Sequence, residues 1–154
     1  MKKAFFLLTA ILFSIVLSAQ IDLSGSWKLN TTKSKLGDQF SMAPKEIIVV
    51  QKGNDMSVER HSEWRGQEFT INDKFTLDGK ECINDGMMDT KKKSTAVWDA
   101  NKTSLKISTK IPMQDGGDFS LTEVYKMDGG NMIIEMSASS SFGDMEETQV
   151  YDKM

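Results

Sequence analysis

Met56-Ser57-Val58-Glu59-Arg60-His61-Ser62-Glu63-Trp64 is followed by Arg65-Gly66 and then by Gln67-Glu68-Phe69-Thr70-Ile71-Asn72-Asp73-Lys74-Phe75-Thr76-Leu77. A period of two puts Met56, Val58, Arg60, Ser62 and Trp64 on one side of a strand, and Phe69, Ile71, Asp73, Phe75 and Leu77 on one side of the next. With Arg65-Gly66 as a two-residue turn, Trp64 faces Gln67, Ser62 faces Phe69, Arg60 faces Ile71 and Val58 faces Asp73. The two mainly apolar sets then share a face, and a slip of one residue would part them. The other face, Ser57-Glu59-His61-Glu63 and Thr70-Asn72-Lys74-Thr76, is polar and belongs in water.

The same test extends along the chain. Asp78-Gly79 predicts a turn that brings Phe75 to Cys82, and Gly129-Gly130 one that pairs Met127 with Met132, Tyr125 with Ile134 and Glu123 with Met136. A turn at Phe142-Gly143 would add Met145, Glu147, Gln149 and Tyr151 to that face. Residues 91–99 and 103–111 form a hairpin around Ala100-Asn101 in one of two registers, and 46–51 form another strand. The fold expected is all-β, an antiparallel up-and-down barrel of about 8–10 strands, because closure removes exposed edges. Its polar outer faces oppose a membrane-embedded barrel, which needs an apolar outside. The stretch 31–43 is irregular, with a short helix or lid as the expectation.

Lys2 and Lys3, the apolar run that follows them, and Ser18-Ala19 before Gln20 have the form of a cleavable export signal over residues 1–19. One barrel domain is expected over 20–154, exported to the periplasm or the medium. Losing two lysines takes the formal charge from -3 to -5. That argues against nucleic acid as a partner. The single cysteine, Cys82, allows no internal disulfide and is expected to be a small buried residue.

The opening Gly25-x-Trp27, in a chain of this size and strand pattern, resembles the lipocalins and the wider calycin group. The string Trp27-Lys28-Leu29-Asn30-x-x-Lys33-Ser34-Lys35, with Leu77-Asp78-Gly79-Lys80-Glu81 later, resembles uncharacterised exported bacterial lipocalin-like proteins. The resemblance implies an eight-stranded barrel with a cup for a small apolar ligand. The chain departs from lipocalins in having no late arginine to pack over Trp27, which leaves a ten-stranded arrangement like that of the fatty-acid-binding proteins as the alternative.

Polar residues on apolar faces mark the candidate site: Arg60, Asp73 and Glu123, then Glu147 and Gln149. A buried charge costs several kcal/mol without a partner, so each needs one. Arg60 lies diagonal to Asp73 in the hairpin register. The expected ligand-binding set is Arg60 and Asp73 for the polar end of a small hydrophobic or amphipathic molecule, Glu123 and Tyr125 beside them, and Phe69, Phe75, Met132 and Met136 as walls. One arginine against two or three carboxylates predicts an acidic interior that suits a neutral or cationic ligand. The rival is a salt-bridge network in a filled core, with surface loops binding a protein or envelope component.

Methionines 56, 127, 132, 136 and 145 fall on the inner faces, as adaptable packing. No catalytic motif, metal-ligand spacing or cofactor loop occurs, so no catalytic residue, metal or cofactor is assigned. His61 alternates onto the polar face. An enzyme working through Asp73 and Glu123 is the third reading.

Overall fold

The computed structural model describes residues 19–86 and 89–154, so the expected export signal lies outside it apart from Ala19. Ten strands follow one another: β1 (Gly25–Leu29), β2 (Glu46–Lys52), β3 (Asp55–Trp64), β4 (Gln67–Thr76), β5 (Cys82–Asp85), β6 (Lys91–Trp98), β7 (Ser104–Pro112), β8 (Asp118–Asp128), β9 (Asn131–Ser140) and β10 (Gly143–Lys153). Their order is β4-β3-β2-β1-β10-β9-β8-β7-β6-β5, with every neighbouring pair antiparallel. The sheet thus curls into a barrel with one seam, between β4 and β5.

The register of β3 on β4 is the one the alternation requires, from Trp64 opposite Gln67 to Val58 opposite Asp73. Arg65 and Gly66 both take positive φ, at 51° and 79°, which is the turn whose twist suits a two-residue hairpin. The β8–β9 pairs Met127–Met132, Tyr125–Ile134 and Glu123–Met136 also form. Between β6 and β7 the open choice resolves with Trp98 opposite Leu105, turning Lys92, Ser94 and Ala96 inward.

Two expectations about local structure fail, and an open one resolves. No ladder joins β4 to β5, so Phe75 and Cys82 do not pair across Asp78-Gly79. The Gly79 N–H instead donates to the Ala96 carbonyl at 3.0 Å, drawing the connection toward β6. The last hairpin turns at Ser141-Phe142, with Gly143 opposite Ser140; partners shift by two along the strand, which keeps the inward face. Of the two alternatives for residues 31–43 the helix is absent: the segment is a strap across one end, held to β10 by a Lys35–Thr148 bridge and by Ser34 Oγ accepting from the Val150 N–H at 2.8 Å.

One end of the barrel, at the β2–β3, β4–β5, β6–β7 and β8–β9 connections, is a dry floor. Leu23, Trp27, Val49, Met56, Leu77, Leu105 and Met132 are buried there. Burying side chains of this size contributes about 1.5–3 kcal/mol each, and with no disulfide this core carries the fold. Trp27 Nε1 donates to the Leu23 carbonyl at 3.0 Å, and the Lys153 ammonium stands 5.4 Å from the ring centroid. A late cation does cover Trp27; it is a lysine rather than an arginine. The other end carries the strap and the β3–β4, β5–β6, β7–β8 and β9–β10 turns. Exposed Phe40, Trp64, Phe69 and Phe142 all lie there, with Phe40 edge-on to Trp64 at 5.2 Å.

Candidate functional site

Above the floor the inward alternation of β3, β4, β6 and β8 brings Arg60, Asp73, Lys92, Glu123 and Tyr125 together, each at most 9 % exposed. Arg60 Nη1 donates to Asp73 Oδ2 at 2.7 Å, while Nη2 donates to Tyr125 Oη at 2.8 Å and to Glu123 Oε2 at 3.1 Å. Strand β3 lies five places from β8 in the order of ten, so this guanidinium spans the barrel from wall to wall. Tyr125 donates in turn to Glu123 Oε1 at 3.3 Å. Lys92 Nζ sits 2.6 Å from Asp73 Oδ1, an ion pair approached outside the direction of a hydrogen bond. Beyond it Ser94 and Thr109 share a hydrogen bond of 2.8 Å.

A second chain of contacts runs along β10. Tyr151 donates to the Pro44 carbonyl at 3.2 Å and to Gln149 Oε1 at 3.1 Å, and Gln149 Nε2 donates to Glu147 Oε2 at 2.8 Å. Glu147 Oε1 accepts the Gly37 N–H at 3.0 Å, so a buried carboxylate latches the strap.

Burial acts against the Arg60 charge, but Glu123, Tyr125 and Asp73 outweigh it and hold its pKa above the usual arginine value. Burial raises the Tyr125 pKa well above the ordinary phenol range, a shift that Arg60 offsets only in part. Tyr151 is raised by the same desolvation, reinforced by Tyr125 and Glu123. Both phenols therefore stay protonated and donate. The cluster has two cations and two carboxylates, so it is charge-balanced, and Glu147 adds one negative charge nearby.

Toward the strap the interior loosens. Inward-facing Ile71, Ile111, Phe119, Leu121 and Met145 are only partly buried, an apolar rim on the strap side of the ionic cluster. Below the cluster, Ile107, Ile134, Tyr151 and Trp27 have no exposure, and side chains fill the barrel.

No protein-family profile and no curated protein matches the sequence. Solved structures do match in shape. Apo lipid binding protein 8 of Caenorhabditis elegans superposes with a TM-score of 0.60 at 10% identity, covering 88% of this chain and 100% of that one. Fatty-acid-binding protein 1 of Echinococcus granulosus gives 0.59 at 14% identity, covering 86% and 97%. The fold is the calycin-type barrel of the fatty-acid-binding proteins. Zebrafish ileal bile acid-binding protein, in complex with cholic acid, gives 0.58 at 16% identity, covering 85% and 98%. Ten strands replace the eight that the lipocalin resemblance implied.

The barrel brings Arg60, Asp73, Glu123 and Tyr125 into one contact network and places Phe75 and Met136 in the wall around it. Met132 lies in the filled floor with no exposure. Phe69 is not a wall: it is 40 % exposed, because β2 supports β3 only as far as His61 and the hairpin beyond projects past the barrel. The expected acidic interior is corrected by Lys92, which the run Lys91-Lys92-Lys93 concealed, since identical neighbours show no alternation. Ser94 and Ala96 were the available signal, as they share the inward parity of Lys92. Cys82 is partly exposed rather than buried, its sulfur accepting the Thr76 N–H at 3.2 Å across the seam. His61 faces outward, 2.7 Å from Glu59 Oε1.

Proposed function

We propose that this is an exported, non-catalytic binder of a small amphipathic molecule, released by loss of residues 1–19 into the periplasm or medium as one domain. The observation that carries the reading is a charge-balanced polar cluster beneath a rim of partly exposed apolar side chains, a composition that suits a ligand site. The fold shared with lipid-binding proteins supports it by analogy alone. The ligand's apolar part would lie among Ile71, Ile111, Leu121 and Met145, with its polar end on Arg60, Tyr125 or Lys92. A carboxylate ligand would have to take Arg60 from Asp73 or Glu123, whereas a hydroxyl or carbonyl adds hydrogen bonds without disturbing the balance. A neutral head group is therefore favoured.

The test is native mass spectrometry of the mature chain purified without detergent, followed by tryptophan-fluorescence titration with dodecanol and dodecanoate. A passenger, or saturable binding of dodecanol tighter than that of dodecanoate, supports the reading. Tighter dodecanoate binding overturns the head-group assignment. Absence of a passenger and of any titration favours the second reading, a solid barrel presenting its loops to an envelope component, which the filled floor supports.

A further inference from the structure

We infer that β4 carries a self-complementary edge through which two copies of this chain pair in antiparallel fashion, continuing the sheet across a two-fold axis at Thr70. In an antiparallel ladder alternate residues turn both backbone groups toward one neighbour. The Arg65-Gly66 turn makes Gln67, Phe69, Ile71, Asp73 and Phe75 the residues bonded to β3, so Glu68, Thr70, Asn72, Lys74 and Thr76 turn theirs to the seam. The seam contacts follow this parity. Asn84 Oδ1 accepts the Lys74 N–H at 2.8 Å, Asn84 Nδ2 donates to the Lys74 carbonyl at 2.9 Å, and the Thr76 N–H meets Cys82 Sγ. Strand β5 ends at Asp85, and among the described residues no strand pairs with Glu68, Thr70 or Asn72, all of which are exposed. Among the described residues, three N–H and three C=O groups thus form an open edge.

A second copy fits this edge in one register. With Thr70 opposite Thr70, Glu68 of each copy lies opposite Asn72 of the other, and all six groups pair. Moving the axis to Phe69 or Ile71 pairs fewer of them, because it brings in the Gly66 turn or the Lys74 groups that Asn84 already holds. On the inward face the chosen register sets Phe69, 40 % exposed, against Ile71 of the second copy, and Ile71 against its Phe69. On the outward face Glu68 is diagonal to Lys74 of the second copy, giving two unlike-charge contacts and no like charges opposite one another. Neither Glu68 nor Lys74 makes an ion pair within a single copy among the described residues; Glu68 lies in the field of Lys45, which is itself paired with Glu63.

Sedimentation equilibrium of the mature chain from micromolar to millimolar concentration measures the association. Thr70→Pro removes an edge N–H without removing a bond to β3, so the barrel is retained while the dimer is lost. Glu68→Lys keeps the backbone and weakens association about tenfold through repulsion of Lys74, and adding Lys74→Glu restores it. In a Cys82→Ser background, Thr70→Cys forms a disulfide dimer on oxidation, since hydrogen-bonded partners stand about 5.5 Å apart at Cα. A monomer at every concentration, or a dimer indifferent to Thr70→Pro and Glu68→Lys, overturns the inference. The ligand titration reads separately, so either proposal can fail alone.

Discussion

Replacing Arg60 with methionine keeps the aliphatic stem and deletes the guanidinium that joins β3 to β8 across the barrel. Three partners lose it: Asp73 at 2.7 Å, Tyr125 at 2.8 Å and Glu123 at 3.1 Å. Their losses differ. Asp73 retains Lys92 at 2.6 Å, but Glu123 keeps only the Tyr125 hydroxyl at 3.3 Å and becomes a buried carboxylate with no cation. Stranding one member of such a network costs about 3–5 kcal/mol, a large share of the roughly 5–15 kcal/mol that holds a domain together. Urea denaturation followed by tryptophan fluorescence should show a midpoint shift of that size at neutral pH. Adding Glu123→Gln removes the stranded charge, so the double variant should recover about 1–3 kcal/mol of the loss. An Arg60→Met variant within about 1 kcal/mol of the parent, or a double variant no more stable than the single one, would refute the view that Glu123 depends on Arg60.

Three further outcomes follow from the same geometry. Asn84→Ala removes both side-chain bonds to Lys74 and should cost about 1–3 kcal/mol, with faster hydrogen exchange at the Lys74 amide than at the β3-bonded amide of Asp73. Gly37→Ala would place its Cβ 2.1 Å from the Phe40 carbonyl oxygen, so the strap must shift. Limited proteolysis within 37–43 should accelerate and Trp64 emission should move to longer wavelength, and unchanged cleavage would deny that the strap is fixed there. Both tyrosines of the chain are buried with raised pKa values, so the folded form keeps two protons that the unfolded chain gives up above about pH 10. That stability is complete below about pH 10 and falls above it by up to roughly 2.7 kcal/mol per pH unit. Tyrosinate absorbance should therefore appear together with unfolding, and titration of either phenol in the folded state would contradict the burial.

Much of the barrel is legible in the chain because strand alternation and turn chemistry are local. A β3–β4 pair that must place Val58, Arg60, Ile71 and Phe75 inward has one workable register, and Arg65-Gly66 supplies the turn that gives it. Gly129-Gly130 does the same for Glu123 and Tyr125. Elsewhere the local signals are degenerate or overruled. Lys91-Lys92-Lys93 offers no contrast between faces, so nothing local marks Lys92 as inward or reveals the cation that balances the interior. Asp78-Gly79 has the composition of a tight turn, yet the Gly79 bond to Ala96 pulls it away and opens the seam.

The sequence by itself determined that the protein is built of strands, which residues each strand turns inward, and that Arg60, Asp73, Glu123 and Tyr125 share the interior. These follow from a period of two and from short turns, which act over a few residues. Only the tertiary structure decided that the described residues form ten strands, that Arg60 meets Glu123 across the barrel, and that no described strand pairs with β4 at Glu68, Thr70 and Asn72. Each depends on how the sheet closes on itself, and closure brings together residues such as 60 and 123 whose distance apart in space no local pattern encodes.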